Sequence, residues 1–340
     1  MKNFRAVALA GIVAGALICA GMLAAAAGGE ADKGWLLVAN KLDATLGIID
    51  TVHRQQLIAI PEGGVTGHEV VASPDGKTAY VPIYGDSGVG MPGTDGSTIT
   101  VIDLATRKVT AKIELGSGLR PHCAVLGPLN GLLYVTTELA NAITVIDPHT
   151  LKVVGKIPTG AAQSHMLAIS SDGRYGYTAN VSPGTVSVID LSAEKVLAVI
   201  PVSANTQRIA ISKDNRLVFT ADQQQPRLAV IDTRTRTISR WVSLPSTAYG
   251  TAATMDGKWL LITQPHTAKV LALNLHTMEI EKTFDVPPSP QEIVVRPDNK
   301  RAYISCDKSA QVAVLNLEIW QMDSPIGTGK GTDGLAWAKQ

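Results

Sequence analysis

From Trp35 onward the chain alternates short apolar runs with brief polar punctuation, and a helical period of 3.6 residues is nowhere sustained. Residues 164–206 show the unit. It reads Ser-His-Met-Leu-Ala-Ile-Ser-Ser-Asp-Gly, then Tyr-Gly-Tyr-Thr-Ala-Asn, then Thr-Val-Ser-Val-Ile-Asp, then Val-Leu-Ala-Val-Ile-Pro-Val. Each run is rich in Val, Ile, Tyr and Thr and is bounded by Gly, Asp, Asn or Pro, which predicts four short strands per unit. The Asp-Gly step after the first run predicts a tight turn, because Gly takes the positive φ that a side chain resists.

Two markers set the register. The end of the third run falls at Asp50, Asp103, Asp147, Asp190, Asp232, Asn274 and Asn316, with 42 residues in each of the last three intervals. The end of the second run falls at Asn40, Ile83, Thr137, Asn180, Asp222, Gln264 and Cys306. Both markers occur seven times, which predicts an all-β, seven-bladed β-propeller of four-stranded antiparallel blades. The first unit starts at Trp35 with its second strand. The last stretch, Gly334-Leu335-Ala336-Trp337-Ala338, reads as a first strand with nothing after it. The C-terminal strand is therefore expected to complete the N-terminal blade, closing the ring and protecting its edges.

The first residues follow a different rule. Lys2 and Arg5 precede an apolar run from Ala6 to Ala27 that ends in small residues, the pattern of a secretory signal peptide over residues 1–27. The propeller is then assigned to residues 28–340. The run is also long enough to cross a bilayer, so a retained anchor is the competing reading. Cleavage near Ala27 leaves no membrane span and places the protein in a periplasm or outside the cell. Cys19 follows Leu17-Ile18 rather than a small residue, which argues against a lipid anchor. Cys123 and Cys306 fall on different blades and different strands, so both read as buried thiols rather than a disulfide.

Composition adds exclusions. With 45% hydrophobic and 17% charged residues the chain can fill a core, and a net charge of +1 without basic runs gives nucleic acid no electrostatic footprint. The motifs Ser73-Pro74-Asp75-Gly76, Tyr134-Val135-Thr136-Thr137, Tyr177-Thr178-Ala179-Asn180 and Val101-Ile102-Asp103, Val145-Ile146-Asp147, Val188-Ile189-Asp190 resemble the YVTN-type propeller repeat. The resemblance spans the chain after the signal segment. It implies the propeller fold, and such propellers include surface-layer and periplasmic proteins, lactonase-like enzymes and metal-dependent redox enzymes. Asn274 and Asn316 depart from the Asp of the pattern, which bears on local turn bonding only.

Candidate chemistry lies where the inner strands enter the channel. The position seven residues before each turn Asp holds His68, His165, Gln207, Tyr249 and Gln291. His122 joins them if one residue is inserted near Pro128, and Asp333 holds the place in blade one. Three of the seven histidines thus share one repeat position on successive blades. Three imidazoles suit a zinc or copper ion, with a fourth position free for water or substrate. The same residues equally serve as polar bridges between blades. The insertion Tyr84–Ser97 lengthens the loop of blade two on the same face, so Tyr84, Asp86 and Met91 are expected to close over anything held there. Glu138 and His266 occupy corresponding loops, Glu138 as a partner to the histidines or a general base. The run 327–332 lacks the Ser or Thr and the helix of a phosphate loop. Two functions follow. One is an exported propeller binding a small molecule, protein or envelope polymer on its loop face, with a three-His metal site. The other is a metal-dependent or lactonase-like envelope enzyme.

Overall fold

Third-strand segments such as Ala142–Asp147 and Thr185–Asp190 are buried at successive interior positions rather than on alternate residues. That pattern requires both faces of the sheet to be covered, and neighbouring blades supply the cover. Outer strands differ. In Lys152–Pro158 only one residue is buried, and Lys152 and Lys156 flank the exposed Val153 and Val154, guarding an edge that would otherwise invite pairing.

The computed structural model describes Met1 and residues 33–340, which form seven four-stranded antiparallel sheets. The signal segment expected over 1–27 lies outside the described residues, Met1 apart. Among the described residues no helix is long and apolar enough to cross a membrane, and the only helical pieces are two short 3-10 turns, Glu138–Ala140 and Asp307–Ser309. The architecture is a seven-bladed β-propeller, as the repeat count predicts.

Every third strand ends at its predicted marker, from Asp50 to Asn316. The Asn substitution in blades six and seven changes nothing in the turn. Asn274 Oδ1 accepts the His276 amide at 2.9 Å, just as Asp50 Oδ1 accepts the Val52 amide at 2.8 Å. Either side chain offers the oxygen that the turn needs. Cys123 and Cys306 are buried free thiols. In blade two the insertion is partly strand, since the second strand runs Thr78–Gly85 and the third starts at Asp95.

The C-terminal strand, Thr332–Lys339, pairs antiparallel with Gly34–Asn40 and occupies the innermost position of blade one. Leu335 and Ala338 enter the core with it. A chain truncated after Gly331 would expose the inner edge of Gly34–Asn40 and the faces of its neighbours. Loss of soluble monomer is expected on size-exclusion chromatography, whereas a truncated chain eluting as a stable monomer would refute closure by this strand.

Candidate functional site

Side-chain direction at the channel mouth is set by irregular backbone. In blades three, four and seven the inner strand slips register against its neighbour, between Pro121 and Ala124, Ser164 and Met166, and Pro290 and Ile293. The closing strand slips between Thr332 and Leu335. Such bulges re-aim side chains, and the residues within them include His122, His165, Gln291 and Asp333. In blades two, five and six the first strand begins late, at Val71, Ala210 and Thr251, so His68, Gln207 and Tyr249 sit in the segments leading to it.

The three aligned histidines meet. Ring centroids lie 3.5 Å apart for His122 and His165 and 5.6 Å apart for His68 and His122. Tyr84 lies against all three, at 4.8 Å from His68, 5.2 Å from His122 and 6.3 Å from His165. His122 and His165 are buried, and the Nδ1 atom of each has no hydrogen-bond partner. Burial holds both imidazoles well below their ordinary pKa, with Arg208 and the neighbouring histidines adding to the effect. Burial likewise lowers His68 to about 4, against the pull of Asp333. The mouth therefore holds three neutral imidazoles at neutral pH.

Beside them lies an ion network that sequence reasoning missed. Arg208 Nη1 is 2.6 Å from Glu69 Oε1 and 3.6 Å from Glu292 Oε2, and Arg208 Nη2 donates to Asp333 Oδ1 at 3.0 Å. Lys41 Nζ donates to Asp333 Oδ2 at 3.2 Å, and the guanidinium lies 5.2 Å from the Tyr249 ring centroid. One buried arginine from blade five thus ties blades one, two and seven at the axis. Burial works to raise Asp333, but Lys41 and Arg208 outweigh it and hold the carboxyl below its usual range. A signal existed: Glu69, Arg208 and Glu292 each follow the aligned position by one residue, where blades three, four and six carry Cys123, Met166 and Gly250. Gly334 allows this closeness. A Cβ there would lie 2.5 Å from both the Glu69 Cα and the His68 carbonyl oxygen, and its amide donates to that oxygen.

Other predicted residues lie apart from the cluster. Asp86 is exposed and accepts the Thr94 amide at 2.6 Å, stapling the insertion loop rather than facing the histidines. Gln291 bonds locally to Ser289, and Gln207 is half-buried beside the network. Glu138 is buried and accepts the Tyr84 hydroxyl, so it reaches the histidines through that phenol. His266 lines a small crevice with Tyr249 and Gln223. The run 327–332 uses its amides on Asn40 and Asp43, which makes it a connector into the closing strand. A larger crevice of about 870 Å³ lies between blades five and six, among turn residues including Asp214, Asp256 and His276, away from the histidines.

Comparison with known proteins fits this picture only in outline. A family model described as the cytochrome D1 heme domain matches residues 128–286, just under half of the chain. The matched part includes His165, Arg208 and Tyr249 but neither His68, His122 nor the insertion loop. The chain is also similar in structure to Kuenenia stuttgartiensis hydrazine synthase, at 16% identity and a TM-score of 0.66, over 85% of this chain and 92% of that one. With 1707 solved chains matching, such likeness selects an architecture and no activity. No curated protein sequence matches the chain significantly. The family name carries a haem rather than the bare zinc or copper ion expected from histidine spacing. A planar macrocycle between two imidazoles needs about 7 Å, twice the contact distance of ~3.5 Å. His122 and His165 stand at 3.5 Å with Tyr84 against them, so as packed these two imidazoles leave no room for a haem between them.

Two expectations follow. Arg208→Ala leaves Glu69 buried without its cation and Asp333 with Lys41 alone, and is expected to cost about 3–5 kcal/mol by denaturant unfolding at neutral pH. A change within about 0.5 kcal/mol would show that the network does not hold the ring. The second concerns Glu62, fully buried on the connection into blade two. Its Oε2 accepts the Gly67 amide at 2.7 Å, and its Oε1 has no partner. Burial raises this carboxyl from 4.5 to about 7, against the pull of the Gly67 amide. Between those values the folded state keeps a proton that the unfolded state releases, so stability falls as pH rises through the window. Glu62→Gln should therefore raise the melting temperature at about pH 8 and leave it near wild type at about pH 4. Equal effects at both pH values would refute the assignment.

Proposed function

We propose that this is an exported propeller whose loop-face mouth binds one divalent transition-metal ion, zinc or copper, through His68, His122 and His165. The observation that carries the reading is the contact of two buried imidazoles whose Nδ1 atoms lack partners. A buried polar atom without a partner costs about 1–3 kcal/mol, and ligation removes that cost. Neutral imidazoles bind a metal without first losing a proton. Among the described residues no group of three or more His, Cys, Asp or Glu side chains surrounds a point ready for a metal. Binding on this reading includes a turn of the imidazoles about their side-chain bonds.

A second reading is favoured by the match to residues 128–286, namely that the channel opens further to hold a haem. The YVTN-type pieces bear on the repeat alone and choose neither. Binding of a small molecule, protein or envelope polymer on the same face is compatible with both. An open fourth position on a three-His ion would also allow an enzyme, the reading in which the metal activates water or substrate.

Elemental analysis and a visible spectrum of the mature protein, purified without chelators, separate the cases. About one zinc or copper per chain without a haem absorption band is expected, falling at least about tenfold in affinity in each His→Ala variant. No metal above background and no uptake on titration would sink the proposal. A haem band retained through purification would establish the second reading instead.

A further inference from the structure

The histidines stand where the first strands begin, so the opposite face carries the turns that join first strands to second and third strands to fourth. Crevices between blades open on that face, and two of them share a sequence signature. Tyr177 and Tyr303 each stand three residues before a second-strand end, and Arg236 and Arg54 each stand four residues past a third-strand end on the next blade. Both arginines have a left-handed backbone (φ 58 and φ 57), so the two turns present them alike. Of the seven interfaces, only four–five and seven–one set Tyr against Arg at these positions. The four–five crevice measures about 320 Å³ and the seven–one crevice about 530 Å³.

The two crevices differ in what faces the arginine. In the seven–one crevice Asp323, seven residues past its third-strand end, lies 3.2 Å from Arg301 Nε and 4.0 Å from Arg54 Nη1. Leu197 holds the same place in blade four, so no carboxylate comes from there to the four–five crevice. Among the described residues none forms an ion pair with the half-buried Arg236 or the exposed Arg234, and none hydrogen-bonds the Tyr177 hydroxyl. Tyr177 is 2% exposed, and burial, with Tyr175 and Asp172 adding to it, lifts its phenol to about 12, which keeps it a donor at neutral pH. Acceptors along the wall are already engaged. Asp172 Oδ1 accepts the Ser170 hydroxyl at 2.5 Å and the Arg174 amide at 3.0 Å, and the Asn215 carboxamide is closed on Ser171 by bonds of 2.9 Å and 2.7 Å. Asp172 is the one carboxylate among the lining residues, against two guanidiniums. Donors without partners in a lining of net positive charge call for an acceptor that is itself negative.

We propose that the crevice between blades four and five is a second ligand site, where Arg236, Arg234 and Tyr177 bind the oxyanion group of a small organic molecule, much as Asp323 serves Arg54 in the other crevice. Phosphoryl and carboxylate groups both offer the paired oxygens that a guanidinium fork engages. The volume lies at the lower end of the ~300–1,000 Å³ typical of small-molecule sites. This site is on the far face from the histidines and stands whether or not a metal binds them.

An NMR titration of the mature protein at low salt tests this, following the side-chain Nε–H signals of Arg234 and Arg236. Inorganic phosphate and acetate are the probes, with chloride at equal ionic strength as control. At least one oxyanion should shift these signals saturably, and the tighter of the two identifies the headgroup. Its affinity should fall about tenfold or more in Arg236→Gln, and about tenfold in Tyr177→Phe, which keeps the ring and removes the donor. Leu197→Asp, which supplies the carboxylate that blade seven already has, should abolish binding; Arg236→Gln carries the test where that variant does not fold. Neither oxyanion acting more than chloride overturns the proposal, as does an affinity that Arg236→Gln or Tyr177→Phe leaves unchanged. Metal titration is a separate measurement, so failure of the metal reading and failure of this site show up independently.

Discussion

Seven sheets packed face to face around an axis bury all their faces only if the last blade meets the first. Here that junction is made by backbone pairing, with Leu36 opposite Trp337 and Trp35 opposite Ala338. The arrangement places a strand from one end of the described chain inside a blade built from the other, and removes two exposed edges at once. Its position is innermost, so closure and channel formation are one event. The closing strand also carries Asp333 and Gly334 into contact with blade two, where the Gly334 amide binds the His68 carbonyl. The candidate site therefore exists only in the closed ring.

The axis is then occupied by charges rather than by apolar side chains. Arg208 faces three carboxylates, Glu69, Glu292 and Asp333, with Lys41 also on Asp333. Two cations among three anions leave an excess of negative charge, and burial with the nearby carboxylates raises Glu69 toward its protonated form despite Arg208. Such networks are weak stabilisers compared with apolar packing, but breaking one partner is expensive. They suit a place where blades from distant parts of the chain must meet in one register. The histidines stand beside this network and are kept neutral chiefly by burial.

The loop side of the mouth follows the same logic at smaller scale. Arg120 and Glu138 form a buried pair that holds both the insertion loop and Tyr84, and neither side chain is supplied by blade two itself. A long loop over a site is usually mobile. This one is tied by an arginine whose remaining partner, Asp95, faces water.

Blade number, strand ends and the repeat position of the histidines were readable from residue order, because strand pairing and turn chemistry act over a few residues and leave periodic marks. The pattern of Asp and Asn at the third-strand ends located every outer turn, and the half-units at Trp35 and Gly334 located the closure. The conformation of the mouth was not readable in this way. His122 and His165 approach to 3.5 Å because bulges turn two inner strands inward, and a bulge leaves no periodic mark in a single chain. Arg208, Glu69 and Glu292 are not legible in residue order, because charge at a buried inner position makes sense only once three other blades bring its partners. Asp86 looked equivalent to Tyr84 in the same loop, yet one staples the loop and the other touches the histidines. Local order determined which residues reach the channel; only ring closure decided which of them meet, since the distances across an axis belong to the assembled blades and not to any one of them.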